Sequence, residues 1–595
     1  MKNNKARKRY TADFETTANP NDCRVWAWAI CNCDNYDDIY YGNNIATFIQ
    51  ECNRLANCDI YFHNLKFDSQ FIIWFLLQSG WKYNPESKDI NELEFTTVIN
   101  GNNTIYALEL CFKKNFVKGK PRYKKVKIYD SLKKLPFTVK KIAKDFELPI
   151  QKLKLDYLAE RERGHIFTDE EKDYLRNDVE IMARALHIQF DQGLTHMTIG
   201  SDALNSYRTI MGGLKQFEYK FPKLNVELDE QIRRAYHGGW TYVNPKFQDQ
   251  DLGEGKVYDV NSLYPWAMRY NDYPVGLPEY HTGLYQQDYL RPLYIQRFEC
   301  EFKLKKGKLP TVQIKHSIFY NSTEYLIESN GPTILTMCNV DFVLFFENYD
   351  VYNLTYICNW SFKSESGLFN DYIDHWSAVK ETSTGARRQI AKLMLNNLYG
   401  KFATNPGIIE KRPVLENGVV EYVTERKYCK EAVYIPVGIF CTAYAREKTI
   451  RTAQKIIDRF VYADTDSLHI VGNEEPKELE GLVHDTKLGY WKNESNFVRA
   501  RFLKAKTYIE EEEISKEKFE KSESKLDYER EGNYYHLNVK CAGMNETIKE
   551  KVTFDNFRAG FTEKGKLTPK NVKGGVVLVE TEFTIKDFKI NKIAL

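Results

Sequence analysis

The sequence contains 12 cysteines but no C-x-x-C pair. Cys31 and Cys33 stand one residue apart, a poor spacing for zinc, so no zinc module is expected. Scattered thiols without a disulfide pattern suit a reducing, intracellular setting. Long apolar runs are missing as well. The longest covers residues 71–77, far below the roughly 20 residues that cross a bilayer. Residues 1–10 are basic, but no apolar stretch follows, and no secretory signal is read there. The absence of a G-x-x-x-x-G-K-[ST] loop argues against a P-loop motor. An excess of one charge is lacking too. The 85 Lys and Arg nearly balance the 82 Asp and Glu, for a formal net charge of +3, so no global basic field is implied.

What is present is size and aromatic character. At 595 residues the chain exceeds a single core and should hold several domains. Hydrophobic residues make up 43% and charged residues 28%, the proportions of a folded, soluble protein. Aromatic residues reach 14%, with 40 Tyr and 35 Phe. Such rings stack on bases, and they also fill cores and interfaces. The charge is patchy: residues 113–144 hold thirteen Lys or Arg and a single acid, Asp130. That stretch could track phosphates or be a solvated loop with basic decoration.

Acids recur in short, patterned settings. Arg9-Tyr10-Thr11-Ala12-Asp13-Phe14-Glu15-Thr16-Thr17 reads as a strand, with Asp13 and Glu15 on one face and Phe14 in the core. Residues 60–68 read as a strand running into an aromatic helix that carries Asp68. Thr168-Asp169-Glu170-Glu171 reads as a capping box ahead of a helical pattern in which Tyr174 and Asp178 share a face. Asp13, Glu15, Asp68 and Asp178 could together hold two cations for phosphodiester hydrolysis, with Tyr174 orienting the water. Further on, Tyr462-Ala463-Asp464-Thr465-Asp466-Ser467 reads as a hairpin tip. Residues two apart on a strand face one side, which would present Asp464 and Asp466 together. A solvated acidic turn has the same composition. Val257-Tyr258-Asp259-Val260-Asn261-Ser262-Leu263-Tyr264-Pro265 delivers a third carboxylate, Asp259, from a short apolar strand. Hard Mg²⁺, or Mn²⁺ in its place, suits oxygen ligands beside phosphates. Between these motifs the periodicity predicts a helix over 381–402. Arg388, Lys392, Asn396 and Tyr399 fall within about 80° of arc on it, at ~100° per residue.

In this order the motifs resemble those of family B DNA polymerases, and are similar to the protein-primed branch from phi29-type phages. Asp13-Phe14-Glu15, Asn64-Leu65-Lys66-Phe67-Asp68 with His63 before it, and Tyr174-x-x-x-Asp178 resemble the three proofreading-exonuclease motifs. The D-x-x-S-L-Y-P run from Asp259, the Lys392–Gly400 segment and the Asp464–Asp466 hairpin resemble polymerase motifs A, B and C. The resemblance implies an α/β and α+β multidomain chain: an RNase-H-like 3′–5′ exonuclease domain, then a right-hand polymerase domain of palm, fingers and thumb with two insertions. Expected divisions are 1–198 exonuclease, 199–270 first part of the palm, 271–367 first insertion, 368–403 fingers, 404–432 second insertion, 433–537 second part of the palm, and 538–595 thumb and tail.

Residue roles follow from the same resemblance. Thr16, His63, Asn64, Phe67, Ser131 and Leu132 would hold a frayed single-stranded 3′ end, and Lys152 would assist its hydrolysis. Lys154 stands where the family often has an acid, with Asp156 nearby, so that acidic role is not carried over. Tyr236, Gly238 and Gly239 match a Y-x-G-G motif that touches template DNA. Asp259 and Asp466 would be the principal metal bridges, with Asp464 and the Val260 carbonyl as further ligands and Thr465 near the DNA. Backbone N–H groups at Leu263 and Tyr264 would meet the incoming triphosphate, and the Tyr264 ring would exclude a 2′-hydroxyl. Lys380, Arg388, Lys392 and Asn396 would bind the dNTP, and Tyr399 would stack near the nascent base pair. Asn397 replaces the family's usual serine. Lys506 and Tyr508 match a K-x-Y motif that steadies the primer terminus.

The first insertion would dock a terminal, priming protein. The second, a hairpin, would give strand displacement. Residues 510–532 read as a solvated, mixed-charge hairpin tip, and the tail past Lys586 as an extension. The implied partners are template–primer DNA, dNTPs, the terminal protein, and single- and double-stranded DNA-binding proteins of the virus. The implied setting is a monomer, away from membranes, in the cytoplasm of an infected bacterium. An inactive exonuclease, a non-catalytic scaffold and an RNA polymerase are weighed against this. All four exonuclease acids and all the motif A and C carboxylates are present, and Tyr264 disfavours RNA synthesis.

Overall fold

The computed structural model describes residues 7–86, 90–157, 159–315, 320–321, 323–430 and 432–588. The part of the tail beyond residue 588 lies outside them. The N-terminal region is built on an eight-stranded mixed sheet. Its order is Asn35–Gly42, Val25–Asn32, Arg9–Thr16, Asp59–Phe62, Lys120–Asp130, Ile105–Val117, Glu94–Ile99 and Lys82–Tyr83. Val25–Asn32 is buried along its whole length because each face meets a different core. Ala27, Ala29 and Cys31 pack toward the helix Asp169–Asp191, whereas Trp28 and Ile30 pack toward the helices Ile45–Leu55 and Leu65–Gln78. In the neighbouring strand Arg9–Thr16, Phe14 meets Phe48 and Phe62 edge-on at 4.7 and 4.9 Å. The expected capping box is present: the Thr168 side chain accepts from the Glu171 N–H while Glu171 returns the bond to the Thr168 backbone.

The second half centres on a five-stranded sheet, in the order Trp491–Phe497, Gly255–Val260, Ser467–Val471, Phe460–Asp464 and Thr241–Val243. The helix Ile435–Lys455 lies against it. The region expected as the first insertion forms a four-stranded sheet, Tyr273–Thr282, Tyr349–Glu365, Leu293–Leu304 and Thr333–Cys338, with the helix Asn339–Asn348. Gly407–Glu416 and Val419–Cys429 form the expected hairpin. Its turn places Asn417 and Gly418 at φ 51° and 79°, the left-handed pair that a two-residue turn requires. This tip does not hang free. Trp74 Nε1 donates to the Gly418 carbonyl at 2.9 Å, Tyr422 Oη to Gln70 Oε1 at 2.7 Å, and Asn571 Nδ2 to the Val420 carbonyl at 2.8 Å. The hairpin tip, the C-terminal hairpin Thr562–Val572 and Gly575–Thr584, and the N-terminal domain therefore meet, and Val420, Val576 and Val577 share its core.

Two expectations are corrected. The helix predicted from residue 381 starts at Gly385. Glu381 belongs to a preceding helix, Asn370–Thr382, and extended Thr384 with left-handed Gly385 (φ 51°) turns the chain between them. Residues 510–532 are not a solvated tip throughout. Glu510 and Glu511 lie buried in the strand Thr507–Ile514, and Glu511 accepts from Arg530 at 2.8 and 2.9 Å and from the Tyr528 hydroxyl. The strand Asn533–Cys541 pairs with Thr507–Ile514 in one sheet. The aromatic content goes largely to packing, as in the cluster Tyr207, Phe217, Phe221, Phe369 and Phe402 behind the Gly385–Phe402 helix.

Candidate active sites

The N-terminal acids converge. Strand alternation puts Asp13 and Glu15 on one face of Arg9–Thr16, and the helix Asp169–Asp191 is laid across it by the Thr11 Oγ1 bond to the Val179 carbonyl, 2.7 Å. Carboxylate oxygens of Asp13, Glu15 and Asp178 lie within 4.8 Å of one another. Asp68, buried in the first turns of Leu65–Gln78, stands close enough to share their field. Burial, then mutual repulsion, holds the Asp13, Glu15 and Asp68 carboxyls well above the ordinary range. Two positive groups answer them, Lys152 and, at Glu15, Arg161. Lys152 is ion-paired to Asp178 Oδ2 and lies 3.1 Å from Tyr174 Oη. Burial works against its ammonium, but Asp178 outweighs burial and the lysine is raised.

The Asp178 Oδ1 atom is buried and has no hydrogen-bond partner. An orphaned carboxylate oxygen beside two further acids fits a hard divalent cation.

The residues expected to hold a 3′ end divide into two groups. Asn64 is exposed, and Thr16, Phe67 and Leu132 are half-buried around the acids. Ser131 is buried, and its side chain supports its neighbours. Its hydroxyl donates to the Phe62 carbonyl at 2.9 Å and lies 3.1 Å from His63 Nδ1. His63 is tied at its other nitrogen to the Phe137 carbonyl at 2.7 Å, and burial lowers its pKa. Asp130, read only as the lone acid of a basic run, proves to be a positioning group. Its Oδ1 accepts from the N–H groups of Asn64, Leu65 and Leu132 at 3.1, 3.3 and 3.0 Å, so it anchors the start of the Asp68 helix, where Asn64 is left-handed (φ 74°). Tyr157 was also missed. Its hydroxyl is 2.8 Å from Tyr174 Oη, and no periodicity marks the stretch that carries it.

The second site lies at the ends of the three central strands of the five-stranded sheet. Asp259 and Asp464 both stand opposite Ser467. Asp466 is not on a strand with Asp464, as the two-apart reading required. Left-handed Thr465 (φ 65°) turns the chain, so Asp464 ends one strand and Asp466 sits in the turn. Strand alternation therefore does not set how the two carboxylates stand. Asp464 accepts from Lys506 Nζ at 2.8 and 2.9 Å and from Thr241 Oγ1 at 2.9 Å. The Asp466 backbone carbonyl accepts from the Val260 N–H at 2.8 Å, which ties the turn to the strand that carries Asp259. Burial, then Asp466, pushes the Asp259 carboxyl up to about 8, and burial raises Asp466. That pair fits a divalent cation, and Lys392 and Lys492 oppose its charge. Glu494, which adds negative field to both, was missed by the motif reading. It lies on the edge strand Trp491–Phe497, where only alternation could have marked it.

The surroundings bring the other expected residues together. Tyr264 and Tyr399 stack with ring centroids 3.9 Å apart and planes 22° apart. Leu263 and Tyr264 open the helix Leu263–Tyr270 after left-handed Ser262, and first-turn amides of a helix lack partners within it. Lys380 Nζ reaches Ser262 Oγ at 3.4 Å, and burial, then Arg388 and Lys392, lowers its pKa. Arg388 donates to the Lys380 carbonyl at 2.8 Å. Asn396 and Lys392 are exposed on the same helix. A Cβ on Gly239 would stand 2.3 Å from Thr465 Oγ1, so this glycine lets the Tyr236–Gly239 segment close on the acidic turn. Tyr508 is mostly buried against Tyr462 and Phe502, beneath the Lys506 turn.

A family profile described as DNA polymerase type B, organellar and viral, matches residues 49–481. This chain belongs to the type B DNA polymerases. It is similar to the DNA polymerase of Bacillus phage phi29, at 46% identity over 585 residues, covering 98% of this chain and 99% of the relative. It is also similar to that of Streptococcus phage Cp-1, at 32% identity over 603 residues, covering 97% and 98%. The solved structure of phi29 DNA polymerase with primer–template DNA and incoming nucleotides matches with a TM-score of 0.90 and 45% identity over 98% of this chain and 100% of that one. The polymerase is therefore a phage enzyme of the phi29 type. As in that family, it is expected to use divalent metal ions, and the Asp13, Glu15 and Asp178 cluster fits them. Among the described residues no helix is long and apolar enough to cross a membrane.

Proposed function

We propose that this polymerase copies a viral genome from a protein primer, displaces the strand ahead of it, and removes mispaired 3′ ends at a second site. The observation that carries the two-site part of the reading is the pair of acid groups in separate domains of one chain, each facing basic side chains. Asp13, Glu15, Asp68 and Asp178 stand with Lys152, Asp259 with Lys392 and Lys492, and Asp466 with Lys506. Mg²⁺, with Mn²⁺ as an alternative, would be held by Asp259, Asp466, the Val260 carbonyl and Asp464 in one site and by the four acids in the other. When bound it supplies charge neutralisation and an activated oxygen nucleophile.

The chain's own groups do the rest. Lys392, Lys380 and Arg388 bind and neutralise the triphosphate of an incoming dNTP, and the Leu263 and Tyr264 amides add donors at a helix N-terminus. The Tyr264 ring, held flat by Tyr399, closes the space where a 2′-hydroxyl would sit. Tyr236, Gly238, Gly239 and Thr465 touch the template side, and Lys506 steadies the primer terminus. Catalysis of this kind is mainly positioning and electrostatics. In the N-terminal site Tyr174 orients the attacking water. Thr16, Asn64, Phe67 and Leu132 grip a single-stranded 3′ end. His63, Ser131 and Asp130 hold those groups in place.

The substrates are template–primer DNA and dNTPs, as in the solved phi29 ternary complex. The terminal protein docks on the 271–367 module, and the 404–432 hairpin closes on the exonuclease domain and the C-terminal hairpin around DNA. Viral single- and double-stranded DNA-binding proteins are further partners. The enzyme works as a monomer in the cytoplasm of the infected bacterium.

A mismatched primer–template separates the two sites. Asp464→Ala should end dNTP addition and leave 3′ trimming, and Asp13→Ala should do the reverse. Loss of both activities in a folded Asp464→Ala protein would sink the two-site reading. Priming is tested with the terminal protein encoded by the same genome and one dNTP. A covalent protein–nucleotide adduct is expected, and its absence under conditions that extend a DNA primer would refute protein priming.

A further inference from the structure

We propose that His469 and Glu510, which the reaction does not use, are a positioning pair that sets where Lys506 stands over Asp464. The inference rests on the reading of Lys506 as a primer-terminus group. In the five-stranded sheet the row Asp259, Ser467 and Asp464 forms the catalytic edge. One strand repeat behind it, ~6.8 Å, the register places Val257, His469 and Tyr462 side by side. His469 is thus directly behind the acids, on the same face. It is 2% exposed, and its Nδ1 lies 2.6 Å from Glu510 Oε1. Glu510 is 1% exposed and belongs to Thr507–Ile514, the second strand of the Lys506 hairpin. Its other oxygen accepts from Asn538 Nδ2 at 3.2 Å, so the carboxylate is fixed from both sides.

The two hairpins that carry Asp464 and Lys506 already share apolar packing. Tyr462, Phe502, Tyr508 and the His469 ring lie 5.1–5.4 Å apart, centroid to centroid. Rings of this kind tolerate sliding, whereas a hydrogen bond between buried polar groups does not, because a shift strands both partners without water. The bond therefore fixes the register of one hairpin against the other. Its effect reaches the site by a short path. Tyr462 Oη accepts from the Lys506 N–H at 3.0 Å, the Lys506 carbonyl accepts from the Ala542 N–H at 3.1 Å, and Lys506, left-handed at φ 58°, then points its ammonium at both Asp464 oxygens. Five groups on three strands and one turn leave Lys506 little freedom.

The test is a double-mutant cycle in the full chain. Glu510→Ala, Lys506→Ala and the double variant are compared for the KM of primer–template, for kcat of single-nucleotide addition and for trimming of single-stranded DNA. Glu510→Ala should raise the KM for primer–template by roughly tenfold, with trimming unchanged. Glu510→Gln, which keeps an acceptor for His469, should recover most of the loss. In the Lys506→Ala background Glu510→Ala should add little. If Glu510→Ala does not fold, Glu510→Asp, which keeps the charge but shortens the reach, should give an intermediate rise. Full additivity with Lys506→Ala, or a parallel loss of trimming, would overturn the proposal in favour of a merely structural pair. A silent Lys506→Ala would refute the primer-terminus reading itself. A strong Lys506→Ala with a silent Glu510→Ala would refute the pair alone.

Discussion

Replacing Asp259 by Asn should stabilise the metal-free protein while ending synthesis. Asn keeps the shape of the carboxylate and removes its charge. Burial, then Asp466, raises the Asp259 carboxyl from its ordinary 3.8 to about 8. The unfolded chain gives up this proton at lower pH than the folded chain does. Below the ordinary value both states hold the proton, and no penalty arises. As pH rises, the folded state loses about 1.4 kcal/mol per pH unit until the pH passes about 8, where the penalty is complete. That gives a ceiling of about 5–6 kcal/mol. Asp259 keeps some solvent contact, so screening and relaxation bring the expected gain to about 2 kcal/mol. Denaturant unfolding in EDTA should show Asp259→Asn ahead of the wild type at pH 8.5 and much less so at pH 5.5. Excess Mg²⁺ should erase the advantage, because only the wild type keeps the full acid pair for the cation. Trimming of single-stranded DNA should survive the substitution. A variant no more stable than wild type at pH 8.5, or a gain independent of pH, would refute the claim that the acid pair is held under repulsion.

Three further outcomes are expected. Tyr264→Val should admit ribonucleotides, cutting discrimination against them by roughly tenfold or more in single-nucleotide incorporation; unchanged sugar selectivity would count against the gate. Lys152→Ala removes the cation that touches both Asp178 and Tyr174, and should slow 3′ trimming by about 10²-fold with synthesis intact; equal trimming would show that the lysine serves structure alone. Gly239→Ala forces a methyl to 2.3 Å from Thr465 Oγ1, and should cost about 1–3 kcal/mol of palm stability and lower synthesis without touching trimming. Normal polymerisation by that variant would mean the segment can yield without moving the acidic turn.

The residues legible in the sequence are those whose neighbours are local. Asp13 and Glu15 are two apart on a strand, Tyr174 and Asp178 four apart on a helix with its own capping box, and simple periodicity brings each pair to one face. Asp464 and Asp466 are also two apart, yet alternation does not place them, because a left-handed Thr465 replaces it with a turn. Only the contact with Gly239, more than two hundred residues earlier, shows why the turn is so tight. Charge runs misled for the same reason. Lys134 sits in the most basic stretch of the chain but is fully buried, paired with Asp202 and donating to the Leu194 and His196 carbonyls at 2.9 and 2.8 Å. Glu510 and Glu511 sit in a run of acids and are buried against His469, Asn538, Tyr528 and Arg530.

Composition reports charge; burial of charge depends on partners supplied by other segments, and a linear pattern cannot count those. The buried charged residues the motif reading passed over, Asp130 and Glu510 among them, hold motif residues from behind. The catalytic edge of each site is therefore legible as a motif. The layer that fixes its geometry has to be read from the fold, and it is the layer on which a substitution should alter KM or pH dependence without removing any group that touches the substrate.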